Sequence, residues 1–281
     1  MSLDTLKSGL IHWSAAGYLR VSRTVGQWFP SLLIVMTILG FWEGYVRAFD
    51  VQRWLLPAPS VIATTMGDRA GMLSEHAWVT LEEVLIGFSL ALSGGIVLAS
   101  AIALSRTFER AIYPFVIASP TIPWLLVAPL LLIWFGPGLA TKIIVVALIA
   151  FFPIVVTMVD GLRSIDPDLV SLLRTMGASR WQLFTKVQLP SSLPFLFSGI
   201  KVAVAVSVIG AVVGEWVGSS EGLGYLMVRS KAQFLTERVF ASIVILAAMG
   251  FGLFLLVGLV ERWSIPWWHG QRRARSSRQE L

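Results

Sequence analysis

Cysteine is absent from this sequence and charged residues are scarce, and each shortage excludes classes of protein. Without cysteine the chain has no disulfides, thiolate metal sites or cysteine nucleophiles. Charged residues make up only 14% of the 281 residues, whereas soluble domains carry about 25%. Hydrophobic residues account for 56%, so the chain lacks the polar surface that a water-soluble protein needs. The composition indicates a membrane protein.

Motifs for catalysis and nucleotide binding are also missing. No Gly-x4-Gly-Lys-Ser/Thr sequence occurs, so the chain is not expected to bind ATP by the usual phosphate-binding loop. His12, His76 and His269 lie outside the apolar runs and have no metal-ligand or triad partner at a useful spacing. No Ala-x-Ala-like site follows a short apolar stretch, which argues against a cleaved signal peptide. We expect no enzyme, no catalytic residue, no metal site and no cofactor bound by this chain.

Long uncharged runs predict an all-α protein with about six transmembrane helices. A helix of roughly 20 apolar residues crosses the hydrocarbon core of a bilayer. The third run contains a break between Pro120 and Pro123, and glycine and proline at 136–138 close it. The predicted runs are centred on 28–42 and bounded by 83–106, 110–142, 142–160, about 194–217, and 238–261.

Basic residues predict the orientation of these helices. With the N-terminus inside, the inner segments carry about twice as many Lys and Arg residues as the outer ones, as expected for cytoplasmic loops. The same bias explains the net charge of +6 without nucleic-acid binding. We predict a cytoplasmic segment at 1–27, a transmembrane domain at 28–262 with a cytoplasmic loop at 161–190, and a basic cytoplasmic tail at 263–281.

Two predicted helices carry small residues at four-residue spacing. Such faces let helix backbones approach closely in lipid, where packing replaces the hydrophobic effect as the driving force. Ordinary bundle packing and a functional interface explain this pattern equally well. The faces consist of Ala91, Gly95, Ala99 and Ala103 in the second span, and Gly199, Ala203, Ser207 and Ala211 in the fifth.

The first half of the loop at 161–190 has the signals of a short helix. Asp166 is a capping residue, Pro167 suits the first helical position, and Asp168 places an acid in the first turn. Gly177 offers a left-handed stop for this helix.

The second half of the loop has the signals of another short helix. Ser179 and Gln182 have the spacing of a capping box, and Leu189 and Pro190 are expected to end the helix that it opens. The sequence thus predicts a helix, a glycine elbow and a second helix at the membrane surface.

The outward face of this elbow is predicted to be apolar. Its members would be Leu172, Leu173, Met176, Trp181 and Phe184. An exposed apolar patch of this kind marks a docking site. An amphipathic helix lying on lipid headgroups would have the same pattern, and the residues alone do not choose between the two.

The spacing of the loop resembles a known family. Ser171-Leu172-Leu173 is followed by three residues, Gly177, nine residues, Val187, one residue and Leu189-Pro190. This resembles the EAA loop of ABC-importer permeases, which reads Glu-Ala-Ala-x3-Gly-x9-Ile-x-Leu-Pro. The three name-giving residues differ here. The segments Leu56-Pro57-Ala58-Pro59-Ser60, Trp134-Phe135-Gly136 and Phe152-Pro153-Ile154 resemble the branch that imports nitrate, sulfonates, taurine and vitamin precursors, and the likeness covers roughly 55–262.

The resemblance implies a type I ABC importer permease (MetI-like) fold in the bacterial inner membrane. It implies a second, identical permease copy, two ATP-binding cassette subunits that hold the ATP, and an external solute-binding protein. The elbow at Gly177 would be a coupling helix seated in the ATPase. The coupling residues would be Ser171, Leu172, Leu173, Met176, Gly177, Ala178, Ser179, Leu189 and Pro190.

Glu215 and Ser207 are candidates for the translocation pathway. An acid within a span is costly and is a functional candidate by default. Glu215 directly continues the small-residue face that contains Ser207. It either lines or gates the pathway or forms a structural pair with a neighbouring helix, in which case Lys201 or Lys142 would be its partner.

Two tryptophans bear on the substrate. The string at 214–226, with Trp216 after the glutamate, resembles permeases for pyrimidine thiamine precursors or riboflavin. Trp216, and Trp124 in the break of the third span, would stack a flat heterocycle, although both suit an interfacial belt. A small aromatic heterocycle is the expected substrate, with nitrate, taurine or alkanesulfonates as the alternative. An ion-coupled secondary transporter is the alternative class, for which only Glu215 is well placed.

Overall fold

The computed structural model describes residues 29–268, and these form helices joined by short connections. No strand occurs in this part of the chain. The predicted segment at 1–27 and most of the predicted tail lie outside the described residues. The helices are α1 (Phe29–Ala48), α2 (Pro59–Asp68), α3 (Ala70–Leu104), α4 (Arg106–Ala118), α5 (Trp124–Phe135), α6 (Leu139–Arg163), α7 (Pro167–Thr175), α8 (Arg180–Leu183), α9 (Leu189–Gly218), α10 (Leu223–Ala232) and α11 (Thr236–Ser264).

Five of the described helical segments are long and apolar enough to cross a bilayer, and a bent pair makes up to six. The five are α1, α3, α6, the continuous segment containing α8 and α9, and α11. The sixth is the pair α4 and α5, which meet at 106°. The predicted number of about six spans is confirmed.

The bend between α4 and α5 occurs at the break predicted from its prolines. A single 3₁₀ turn (Ser119–Thr121) follows α4, and α5 begins directly after Pro123. Proline has no N–H to donate and its ring clashes with the preceding turn, so Pro120 and Pro123 prevent one straight helix. This span is therefore two half-helices at a steep angle.

Two helix ends were predicted wrongly because acids were taken as boundaries. Helix α3 begins at Ala70, far before Glu83. Glu83 lies inside the helix, fully buried, because Lys142 of α6 pairs with it at 2.6 Å. Helix α1 likewise continues beyond the predicted stretch at 28–42, through Glu43 to Ala48. A charge with a partner does not have to lie at the end of a span.

Helix α6 is the centre of the bundle, with α3 and α9 packed on it. The small-residue faces predicted on α3 and α9 make these contacts. A Cβ at Gly95 would come within 2.8 Å of Ile154, and a Cβ at Gly199 would overlap the Thr157 hydroxyl. Both glycines therefore set how closely their helices approach α6.

The second helix of the loop does not end at Leu189 and Pro190, contrary to the prediction. A single π turn (Phe184–Gln188) follows α8, and α9 begins at Leu189 with Pro190 in its first turn. Proline has no N–H to donate and interrupts the regular pattern of helical hydrogen bonds at this point. The wider π turn absorbs the irregularity, and the segment stays helical from Arg180 to Gly218.

Candidate functional site

Local hydrogen bonds fix the start of α7 and the turn that joins α7 to α8; we call these two helices and their turn the elbow. The Asp166 carboxylate accepts from the backbone N–H of Asp168 at 2.9 Å, and Pro167 begins α7. At the other end of α7, Gly177 has a φ of +87°. Its N–H donates to Arg174, and the N–H of Ala178 donates to Leu173. These two bonds form a Schellman motif, which favours glycine at this position because glycine adopts a positive φ without steric strain.

The predicted capping box at the start of α8 is present. The backbone N–H of Ser179 donates to the Gln182 side chain at 2.9 Å, and the N–H of Gln182 donates to the Ser179 hydroxyl at 3.2 Å. Both orphan donors are thus satisfied within four residues of sequence. The turn at Gly177 and the start of α8 are thus shaped by hydrogen bonds between residues close in sequence.

Of the five side chains predicted for the outward face of this elbow, three are exposed. Leu172, Met176 and Trp181 are 58%, 76% and 64% exposed; we call these three residues the elbow patch. Leu173 is half-buried. The prediction for Phe184 was wrong, because this ring is buried in the main core cluster. Trp181 stacks on it, with ring centroids 5.9 Å apart.

The other predicted coupling residues lie in or next to the elbow. Ser171 is exposed, and its hydroxyl donates to the carbonyl of Pro167 at 2.9 Å. Ala178 and Ser179 follow Gly177, whereas Leu189 and Pro190 are half-buried at the start of α9. The structure brings this set together at one end of the bundle, and its role in coupling stays a prediction.

Glu215 lies at the opposite end of the bundle, 1% exposed. One carboxylate oxygen accepts from the Thr80 hydroxyl of α3 at 2.7 Å. The other accepts from the backbone N–H groups of Gly224 and Tyr225 at the start of α10. Glu215 thereby joins α3, α9 and α10, which is a structural task. Its predicted pathway role stays a prediction.

Neither lysine considered as a partner hydrogen-bonds Glu215. Lys142 is bonded to Glu83 at 2.6 Å, although its charge also acts on Glu215. Lys201 pairs with Glu261 of α11 instead. Thr80, Glu83, Lys142 and Glu215 form one buried polar cluster, which we call the outer network.

The outer network extends into the connection between α9 and α10. The Thr80 hydroxyl oxygen accepts from the N–H of Leu223 at 2.9 Å, and His76 Nδ1 accepts from the N–H of Gly222 at 3.0 Å. Gly222 has a φ of +103°, and a Cβ there would overlap the Glu215 carboxylate. The roles of Thr80 and His76 were missed from sequence, since single polar residues in a long helix give no periodic signal.

The remaining pathway candidates are separated. Ser207 is fully buried, and its hydroxyl donates to the Val204 carbonyl at 2.7 Å. Trp216 is 45% exposed, and Trp124 is half-buried at the start of α5. Trp216 lines an apolar groove of about 750 Å³ between α5, α9 and α11, and its wall contains no charged residue. Of these three candidates, the structure thus places only Trp216 on this open surface.

Known proteins of similar sequence identify the family. The model for the binding-protein-dependent transport system inner membrane component matches residues 91–265, more than half of the chain. The formylaminopyrimidine transport permease protein ThiX of Halalkalibacterium halodurans is 38% identical over 239 residues, covering 85% of this chain and 95% of that protein. The riboflavin transport system permease protein RibX of Chloroflexus aurantiacus is 38% identical over 235 residues, covering 83% and 88%.

A solved structure agrees on the fold. The inward-facing MetNI methionine ABC transporter superposes with a TM-score of 0.52 at 21% identity, covering 68% of this chain and 98% of that chain. Identity this low supports the fold alone. The sequence matches also identify the class of transporter, and they favour ATP-driven import over an ion-coupled secondary transporter. The chain belongs to the binding-protein-dependent transport system inner membrane component family and is a multi-pass permease subunit of an ABC importer, a transport component and not an enzyme.

Proposed function

We propose that the elbow patch is the surface through which an ATPase subunit drives this permease. ABC importer permeases work with ATPase subunits and binding proteins. The observation that carries the proposal is the exposure of Leu172, Met176 and Trp181 on an elbow with satisfied backbone bonds. Large apolar side chains exposed close together are typical of a docking surface.

A shape fixed by local bonds suits mechanical coupling. ATP binding can shift a permease between two conformations only through contacts that differ between them. An elbow that keeps its own form transmits a displacement of the ATPase to α6 and α9, which flank it directly in the chain. A flexible loop would absorb the same displacement. The two ATPase subunits, rather than this chain, would hold the ATP.

The assembly would contain two copies of this chain, with both termini in the cytoplasm and the pathway between the copies. An external solute-binding protein would deliver the substrate to the end that holds the outer network. Within that pathway we assign Trp216 as the residue that meets substrate. Trp124 and Ser207 are assigned to the wall and its packing, and Glu215 to the shape of the outer opening.

The substrate is a small aromatic heterocycle such as a thiamine pyrimidine precursor or riboflavin. Two similar permeases carry formylaminopyrimidine and riboflavin in their names. Trp216 offers a ring face on which a flat heterocycle stacks. Nitrate, taurine or an alkanesulfonate, the alternative substrates, would need a cation or several donors, and the groove wall beside Trp216 contains no charged residue.

Replacing Met176 and Trp181 together with serine tests the coupling. Both side chains are exposed, so the double variant should insert and fold normally. We expect ATPase copurification and ATP-dependent uptake in proteoliposomes to fall at least tenfold, because each side chain contributes about 1.5–3 kcal/mol when buried. Thr175→Ala, an exposed neighbour, is the control and should transport normally. Uptake by the double variant at the control rate would contradict the proposal.

A panel of solutes tests the substrate class. The cognate binding protein would be heated with formylaminopyrimidine, riboflavin, taurine, an alkanesulfonate and nitrate in turn. Only a heterocycle should raise its melting temperature, since a ligand stabilises the state that binds it. Stabilisation by taurine, a sulfonate or nitrate alone would replace the substrate assignment and leave the coupling proposal intact.

A further inference from the structure

A cavity of about 570 Å³ lies between the α3–α4 junction and the elbow helices. Its volume is in the range of small-molecule sites. Three arginines contribute to its wall: Arg106 from the start of α4, Arg174 from α7 and Arg180 from α8. We call it the arginine cavity.

The arginine cavity has strong positive charge and no counter-charge of its own. Its lining contains no aspartate or glutamate. None of the three guanidinium groups forms an ion pair with another described residue. Gathering three like charges without a counterion is unfavourable, so an anion is the chemistry that this cavity fits.

Neutral donors add to the arginines. Ser105, Thr107 and Gln188 also line the cavity. The Ser105 hydroxyl oxygen accepts from the N–H of Phe108, which leaves its hydrogen to donate elsewhere. Guanidinium forks and hydroxyl donors together match the several oxygens of a phosphate group.

The position of the cavity selects the source of that phosphate. Ala103 and Leu104, the last residues of the membrane-spanning α3, form part of the wall, together with the buried Leu183. The cavity therefore has a basic side and an apolar side at the depth where a spanning helix ends. A phospholipid has the same division between its phosphate and its glycerol and acyl region. None of the elbow-patch residues lines this cavity.

We propose that the arginine cavity binds the phosphate of an anionic phospholipid, such as phosphatidylglycerol, in the cytoplasmic leaflet. The assignment to the cytoplasmic leaflet depends on the orientation proposed above, whereas the site itself does not. Basic pockets between spanning helices on the cytoplasmic side bind such headgroups. A bound lipid would contact both α4 and the elbow, and it would neutralise the charge that these elements bring together.

The 281-residue chain in nanodiscs, without ATPase or substrate, tests this site. Nanodiscs would contain phosphatidylcholine with increasing phosphatidylglycerol, and lipids retained after detergent extraction would be counted by native mass spectrometry. Arg106→Gln combined with Arg180→Gln should weaken retention about 25-fold, since each basic residue near an anionic surface strengthens binding about fivefold. Arg110→Gln with Lys186→Gln removes the same charge from exposed positions outside the cavity and should retain lipid like the wild type.

Two further comparisons sharpen the test. One distinguishes recognition of phosphate geometry from attraction by charge alone, and the other distinguishes a lipid from other anions. Arg106→Lys with Arg180→Lys keeps the charge but loses the planar fork, and it should fall between the wild type and the glutamine variant. Equal retention by the wild type and the glutamine variant would overturn the proposal. So would binding of inorganic phosphate in pure phosphatidylcholine nanodiscs without any preference for phosphatidylglycerol. In a separate copurification with the ATPase subunits, loss of ATPase binding by the glutamine variant with lipid retention unchanged would assign the cavity to the ATPase and overturn the proposal equally.

Discussion

The two ends of this permease are stabilised in opposite ways. At one end, the elbow is fixed by hydrogen bonds between residues close in sequence and presents exposed apolar side chains. At the other end, the outer network is buried and joins residues far apart in the chain, such as Thr80 and Glu215. The elbow can therefore be displaced as a unit, whereas the outer network ties α3, α6, α9 and α10 to one another.

This difference predicts where substitutions affect stability and where they affect coupling. A buried charge that loses its partner costs far more than an exposed apolar side chain that loses its surroundings. Substitutions in the outer network should thus lower the free energy of unfolding. Substitutions in the elbow should leave the folded chain intact and change transport.

The largest effect is expected for Lys142→Met. This change leaves the Glu83 carboxylate buried without its cation. Breaking one partner of a buried pair costs about 3–5 kcal/mol, so the melting temperature in detergent should fall strongly. Lys186→Met, at an exposed lysine without an ion pair among the described residues, is the control and should melt like the wild type.

Adding Glu83→Leu to Lys142→Met should recover a large part of this loss. The double variant contains neither buried charge, and apolar replacements of a buried pair are often neutral. If Lys142→Met alone melts like the wild type, the outer network does not hold these helices together.

Gly222→Ala should have the next largest effect. It forces a Cβ against the Glu215 carboxylate at a φ of +103°. Gly136→Ala is a matched control, because Gly136 also has a positive φ of +78° but open space around it. Both glycines combine a positive φ with an extended ψ, 170° at Gly136 and 164° at Gly222, a region that is essentially restricted to glycine. The control should lose only this backbone strain, about 1–3 kcal/mol, and Gly222→Ala distinctly more. Equal melting temperatures for the two variants would show that the Glu215 carboxylate moves aside without a loss of stability.

Gly177→Val should lower the stability less than Gly222→Ala does, but it should impair transport more. Open space surrounds Gly177, so the change adds the strain of a β-branched residue at a φ of +87° but no clash. That strain is about 1–2 kcal/mol. Insertion should persist while uptake and substrate-stimulated ATP hydrolysis fall together. Gly177→Asn, which tolerates this conformation, should retain most of both, and uptake by the valine variant at the asparagine level would count against an elbow of defined shape.

Ser179→Ala should have the smallest effect on stability. It removes one half of the capping box, in which the hydroxyl accepts from the N–H of Gln182. The loss of a helix cap is about 1 kcal/mol and is confined here to a short exposed helix. Hydrogen exchange at residues 179–183 should accelerate without a change at α6, and a global loss of protection would contradict the local character of the elbow.

The same difference explains what could be predicted from sequence. The caps at Asp166 and Ser179 and the stop at Gly177 depend on neighbours in sequence, and all three were predicted correctly. The spans were recognisable because lipid demands long apolar runs. The burial of Phe184 was not, because it depends on which way α8 faces the packed core.

The outer network was beyond sequence reasoning for a related reason. Glu82 and Glu83 stand together at the edge of an apolar run, so Glu83 was taken as its boundary, and only the fold reveals that Lys142 lies opposite Glu83. Thr80 likewise gives no signal until α9 places Glu215 beside it. Pairings between distant helices determine this region, and a single sequence does not display them.

A cross-link from the elbow patch to the ATPase would test most sharply whether this surface couples the permease to ATP hydrolysis. The chain has no cysteine, so Met176→Cys provides a unique attachment point for a short photo-cross-linker. Trp263→Cys is the control, since Trp263 is 86% exposed near the end of α11 that is predicted to be cytoplasmic. We predict a strong cross-link to the ATPase from residue 176 and little from residue 263. An intact complex that cross-links equally from both positions, or only from 263, would contradict this prediction.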